Sequence, residues 1–114
     1  MTTMAEPRGV APKLRSNHAR LLQILVETQS FKFSDTPSFP LASGVLSRYY
    51  VDCKVGLSYP QMRQAVGQLM NDRITATTLD AVGGLVIGAY PIAIAVSDAA
   101  FLSGRELRAF VVRK

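Results

Sequence analysis

The sequence predicts an α/β fold, with a helix and several short strands leading into the start of a parallel sheet. Three observations predict it. Apolar residues recur at helical spacing in two separate segments. An aromatic-rich stretch between them is broken by turn residues. The last third reads as strand, helix and strand. With 114 residues the chain fits one domain, and 48% apolar residues suffice for a packed core.

The first seventeen residues, MTTMAEPRGVAPKLRSN, read as a flexible tail, and residues 18–114 as the folded part. Ser16 or Asn17 is a candidate N-cap. Leu21, Leu22, Leu25 and Val26 then form one apolar face of a helix running to about Gln29. From Ser30 to Lys54 the pattern changes. Phe31, Phe33, Phe39, Leu41, Val45, Tyr49, Tyr50 and Val51 are interrupted by Asp35-Thr36-Pro37 and Ser43-Gly44, which predicts short strands joined by turns.

A second helix is predicted from about Ser58, with Pro60 in its first turn and Met62, Ala65, Val66, Leu69 and Met70 as its buried stripe, ending near Asn71 to Arg73. Leu79 to Gly83 reads as a strand, followed by a glycine-punctuated loop, GLVIGAY. Pro91 to Phe101 suits a helix whose alanines allow close packing, and Gly104 is its expected stop. Leu107 to Val112 is the last strand. A βαβ unit of this length makes its two strands parallel. The run AFVV is apolar on both faces, as in a strand covered on both sides. The sequence stops at Lys114, so the expectation is that another chain or a further segment completes the sheet.

Composition narrows the function. The single cysteine, Cys53, cannot form an internal disulfide, which makes a reducing, cytoplasmic setting the expectation. Cys53 and His18 are the only soft ligands, so no metal site is expected from the chain itself. The net charge of +5 favours anionic partners. The basic residues are scattered, with no dense basic helix and no aromatic-basic RNA signature, so no nucleic-acid partner is expected. The most apolar stretch, residues 81–102, is broken by Gly83, Gly84, Gly88, Pro91 and Asp98, and no membrane span is expected. The N-terminus lacks the apolar core of a secretory signal.

Three stretches carry a family resemblance. FPLASGVLSRYYVDCK, through Ser43, Gly44, Ser47, Tyr49, Tyr50, Asp52 and Lys54, resembles the signature of orotate phosphoribosyltransferases. That signature is a Ser-Gly turn followed by a Ser, an aromatic pair and a basic residue. DAVGGLVIGAYPIAIAV, through Gly84, Gly88 and Pro91, resembles the family's pyrophosphate loop and the helix behind it. AFVVRK looks like the strand entering the family's mobile catalytic loop, whose Arg-Lys start is matched by Arg113 and Lys114. Order and spacing agree with the family from about Leu21 to Lys114. There are two departures. Some members carry a Lys where this chain has Gly88, and the family's ribose-phosphate motif, an acidic pair before a Thr/Gly-rich turn, is not among these residues.

The resemblance implies a partial type I phosphoribosyltransferase fold: the first helix and the strands of residues 31–54 as a base-binding hood, and the rest as the first portion of the parallel core. It implies transfer of phosphoribosyl from phosphoribosyl pyrophosphate to orotate in pyrimidine synthesis, with magnesium, in a homodimer. It implies substrate-binding roles for Tyr49, Tyr50 and Lys54. Pyrophosphate binding falls to Gly84, Leu85, Val86, Ile87 and Gly88, and catalytic neutralisation of charge to Arg113 and Lys114. Each role has a plainer counterpart. The tyrosines also suit a sheet core, Lys54 a solvated surface, the glycines an ordinary βα turn, and Arg113 and Lys114 a frayed end. His18 and Cys53 are read as structural or incidental, Asp80 as a loop-boundary residue and Asp98 as a solvent-facing helix position, neither of the two aspartates being catalytic. Without the ribose-phosphate motif, no turnover is expected from these 114 residues alone. A non-catalytic base-binding module, or an interaction module that pairs through an exposed strand edge, is the alternative. The enzyme reading requires Tyr49 and the Gly84–Gly88 bend to border one cleft.

Overall fold

A computed structural model describes residues 12–114, with side chains from Ser16 onward. The elements in chain order are α1 (Pro12–Glu27), β1 (Phe31–Phe33), β2 (Phe39–Pro40), β3 (Leu46–Ser47), β4 (Tyr49–Val51), α2 (Cys53–Leu57), α3 (Pro60–Ile74), β5 (Ala81–Leu85), α4 (Tyr90–Leu102) and β6 (Arg108–Val112).

Helix α1 begins at Pro12, so residues 12–17 belong to it and neither Ser16 nor Asn17 caps it. Proline suits a first helical position because its missing N–H has no helical partner there in any case. The rest of the expected tail, residues 1–11, lies outside the described residues. The helix ends at Glu27, and Gln29, expected to close it, turns the chain with φ 59°. Ile24 is buried, with Leu21 and Leu25 packed beside it, whereas Val26 faces out at 49% exposure. Polar contacts tie α1 to α3: Arg20 donates to Gln64 at 2.9 Å, and Asn17 donates to Asp72 at 3.1 Å.

Residues 31–51 form two antiparallel pairs, β1 with β4 and β2 with β3. The chain then turns into α2, a short helix not foreseen in the sequence reading. Asp52 caps it by accepting the Lys54 N–H at 3.1 Å. Lys54 therefore sits on a helix rather than at a strand end.

Helix α3 begins at Pro60, two residues after the expected start near Ser58, with the proline in its first turn as expected, and buries Met62, Ala65, Val66 and Leu69. Met70, expected in that stripe, is 44% exposed, while Gly67 and Asn71 are buried instead. The reason is the neighbour. A Cβ on Gly67 would run into the carbonyl of Ala95 in α4, so glycine here lets two helix backbones approach closely and rotates the stripe toward α4. Ile24, Leu57, Met62, Ala65 and Val66 form the core cluster, with Ile92 of α4 packed on it.

Strands β5 and β6 are parallel, in the register Ala81↔Arg108 to Leu85↔Val112. Strand β5 starts and ends two residues later than the expected strand, so Gly84 and Leu85 belong to it rather than to the loop. Helix α4 crosses one face of the pair, shielding Val82, Gly84, Ala109 and Val111. The other face is open, with Leu85, Phe110 and Val112 exposed. The double-sided apolar character of AFVV is thus met on one face only. At Gly104 (φ 90°) α4 ends with Arg105 N–H bonded back to the Ala100 carbonyl at 2.9 Å, the glycine stop expected from sequence.

Arg105 then fastens the end of α3. Its guanidinium donates to the Ile74 and Thr77 carbonyls at 3.1 and 3.2 Å and to Asn71 Oδ1 at 3.2 Å. Asn71 is 4% exposed and donates to Ser103 Oγ.

These contacts make two predictions. Gly67→Ala should destabilise the chain by about 1–3 kcal/mol in urea unfolding, because the methyl has no room beside Ala95. Arg105→Met should cost about 1–3 kcal/mol in the same assay, because the buried Asn71 amide and the α3 carbonyls lose a charged donor.

Candidate functional site

Between β5 and α4 the chain reverses in residues 86–89. Backbone bonds hold this turn. The Val86 N–H donates to the Val112 carbonyl at 2.9 Å, Ala89 N–H to Leu85 at 3.2 Å, and Tyr90 N–H to Ile87 at 3.2 Å. The Val86–Ile87 peptide is cis. Gly84 is needed for space, since a Cβ there would lie 2.5 Å from the Ala89 methyl. A Cβ on Gly88 would meet nothing within 4 Å. Neither glycine has positive φ, so close approach at Gly84 and openness at Gly88, rather than unusual backbone angles, explain the pair. Leu85, Val86 and Ile87 are exposed beside them.

The turn feeds the N-terminus of α4, with Pro91 in its first turn and no side-chain cap. Tyr90 N–H is taken by the Ile87 carbonyl, Ala93 N–H by the Ala89 carbonyl, and Pro91 has none, so the helix end offers an anion chiefly the positive potential of its dipole. An anion is the ligand such an end suits.

The bond from Val86 to Val112 sets the next feature. Arg113 and Lys114 directly follow Val112, both exposed, and so leave the sheet at the level of the turn. The structure thus brings Arg113 and Lys114 next to the Gly84–Gly88 segment.

Tyr49 and Tyr50 lie on β4 and occupy opposite faces of its hairpin with β1. Tyr49 stands across from Phe33 with ring centroids 5.2 Å apart, and 6.2 Å from Phe31. Tyr50 stands across from Lys32 and stacks on Phe39 at 5.7 Å with planes 26° apart. Tyr49 is 56% and Tyr50 39% exposed, so neither fills a sheet core. Lys54 pairs with Asp52 at 3.2 Å, an interaction its position in the motif did not reveal. An Asp at the start of a short helix is the signal that would have found it.

The hairpin and the turn are linked through the core. Strand β4 runs into α2, whose Leu57 belongs to the core cluster, and the turn runs into α4, whose Ile92 packs on that cluster. Two surface cavities of the described residues are lined by neither Tyr49 nor the turn, so neither is the shared cleft that the enzyme reading requires. One, about 200 Å³, lies between α3 and α4 and is lined by Arg63, Gln64, Ile94, Asp98 and Leu102 among others; the other, about 520 Å³, is lined by Asp80, Ala81, Glu106 and Arg108. Asp98 therefore borders the first of these. Asp80 accepts the Arg108 N–H at 3.1 Å through its carbonyl, Cys53 is exposed at the start of α2, and His18 lies on α1. Among the described residues no group of three or more His, Cys, Asp or Glu could hold a metal ion, and no helix is long and apolar enough to cross a membrane.

With this geometry in place, known proteins give a consistent comparison. No protein-family model matches the chain. An orotate phosphoribosyltransferase of Aquifex aeolicus is 40% identical over 90 residues, which is 79% of this chain and 49% of that protein. One from Streptomyces avermitilis is 45% identical over 74 residues, 65% of this chain and 41% of that protein. The crystal structure of the Mycobacterium tuberculosis orotate phosphoribosyltransferase with Fe(III) dicitrate superposes with a TM-score of 0.66 at 31% identity, covering 83% of this chain and 54% of that one. The same enzyme with 5-phospho-α-D-ribosyl 1-diphosphate gives 0.62 at 30% identity, covering 83% and 53%. The chain spans about half the length of the curated relatives it matches. In sequence and in fold, it is a homologue of the N-terminal portion of the orotate phosphoribosyltransferases and carries the corresponding part of the type I phosphoribosyltransferase fold.

Proposed function

We propose that this chain supplies the base-binding hood and the pyrophosphate turn of an orotate phosphoribosyltransferase. In that reaction a ring nitrogen of orotate bonds to the anomeric carbon of phosphoribosyl pyrophosphate. The bond from that carbon to the diphosphate oxygen breaks, pyrophosphate leaves with the electron pair, and the proton on the ring nitrogen is released. The products are orotidine monophosphate and pyrophosphate.

The observation that carries the reading is the Val86–Val112 backbone bond. It sets an anion-suited turn beside two cations in a chain whose relatives are orotate phosphoribosyltransferases. Charge builds on the leaving diphosphate as the bond breaks, and preorganised donors aimed at that charge lower the barrier. The open side of Gly88 lets phosphate oxygens approach the backbone. Arg113 offers a planar fork and Lys114 a point charge. Tyr49 or Tyr50 offers a ring face to the pyrimidine, and Lys54, held by Asp52, is the more distant candidate for an anionic substituent.

Magnesium belongs to this reading as an ion carried on the substrate's diphosphate oxygens, in keeping with its habit of binding substrate phosphates and water. The turn offers amides rather than carboxylates, so these residues do not themselves make a magnesium site. A homodimer and a cytoplasmic setting complete the proposal.

Pyrophosphate titrated into the chain in a calorimeter should bind. Arg113→Gln and Lys114→Gln should each weaken it about tenfold. Gly88→Asp should weaken it similarly by placing like charge in the turn, while Gly88→Ala, whose methyl has open space, should leave the fold intact. Pyrophosphate binding that ignores all three charge changes would remove the turn from the site.

A further inference from the structure

The two faces of the β1–β4 hairpin differ in chemistry, and the difference bears on which base is recognised. Residues directly opposite in an antiparallel pair share a face, and successive residues alternate. The register Phe31↔Val51 and Phe33↔Tyr49 gives one face made only of Phe31, Phe33, Tyr49 and Val51. The register Lys32↔Tyr50 gives the other face a cation directly across from a tyrosine. The ladder runs one step beyond the strands, with Ser34 N–H donating to the Arg48 carbonyl at 2.9 Å. Alternation puts Arg48 at the next position on the Tyr50 face.

That face therefore combines a stacked aromatic pair, Tyr50 on Phe39, with two exposed cations. Among the described residues neither Lys32 nor Arg48 makes an ion pair, Asp35 in the following turn included. The nearest carboxylate along β4, Asp52, is already matched by Lys54 at 3.2 Å. The same pairing makes Lys54 a poorer partner for a second anion. A planar ring bearing a carboxylate fits such a surface, with its ring against the aromatic pair and its carboxylate on the uncompensated charges.

We infer that Lys32 and Arg48 are specificity residues that select a carboxylated pyrimidine over an uncharged one, with Tyr50 rather than Tyr49 as the tyrosine on the ligand side. This inference rests on the proposed function above and names residues that the motif comparison did not. The carboxylate is what distinguishes orotate from uracil, and charge-assisted bonds to it give discrimination that ring stacking alone does not.

The test is equilibrium binding of orotate and of uracil to the chain by calorimetry, for the wild type and for Lys32→Gln, Arg48→Gln, Tyr50→Leu and Tyr49→Leu, with circular dichroism confirming the fold. Lys32→Gln and Arg48→Gln should each weaken orotate about tenfold. Uracil binding should be unchanged by both, and the orotate preference should shrink as salt is added. Tyr50→Leu should weaken both ligands, and Tyr49→Leu neither. Failure of the wild-type chain to bind orotate overturns the proposed function and this inference with it. Orotate binding that the two cation substitutions leave unchanged overturns this inference alone, as does a loss confined to Tyr49→Leu.

Discussion

Everything in this fold leans on the close contact between α3 and α4. Gly67 lets the α3 backbone lie against the Ala95 carbonyl, and Ala93, Val96 and Ala100 are small enough for α4 to sink between α3 and the sheet. The consequences run outward. With α4 fixed, its first turn puts Ile92 on the cluster of Ile24, Leu57 and Met62, which joins the hood side of the molecule to the sheet side. Its last turn delivers Arg105 to the α3 carbonyls. A methyl added at Gly67 would have to move one of these helices, and packed interiors do not yield by small adjustments.

This constraint explains what the sequence could and could not reveal. Repeats of one side-chain type were legible: the apolar rows of α1 and α3, the strand–helix–strand run, the Gly104 stop and the Pro60 start all follow from local rules. The rotation of α3 was not, because the stripe of Met62, Ala65, Val66 and Leu69 reads equally well with Met70 as with Gly67. Only the presence of α4 decides between them. The start of α1 at Pro12 was missed because a polar segment with a good cap candidate at Ser16 looks like a boundary, although Pro12 is itself a sound first residue. Helix α2 was hidden for a similar reason, since five residues are too few to show a period.

The candidate site could be named from sequence only as separate segments, and their arrangement could not. Motif spacing picked out the turn and the Arg113-Lys114 pair, but their adjacency depends on a parallel register that places Val112 across from Leu85. The aromatic pair was equally visible, yet adjacency in sequence concealed that Tyr49 and Tyr50 face opposite ways. In a strand, neighbours are the residues least able to share a ligand face. The faces of the two tyrosines therefore separate as soon as the β1–β4 register is known, and Lys32, unremarkable in sequence, becomes the residue opposite Tyr50.

The two halves of the candidate site are also held with different firmness. The turn is pinned at both ends, by β6 through Val86 and by α4 through Ala89 and Tyr90, on a helix that buries Ala93, Ala95, Val96 and Ala100. The hairpin carries exposed aromatics on both faces and reaches the core through Ser30, whose carbonyl accepts the Asp52 N–H at 2.7 Å, and through α2. Segments with few buried apolar contacts open at lower free energy than the core. Under the function proposed above, a turn held this firmly suits a diphosphate that must be kept in fixed geometry. The planar base then needs a surface that can close on it and release it as nucleotide.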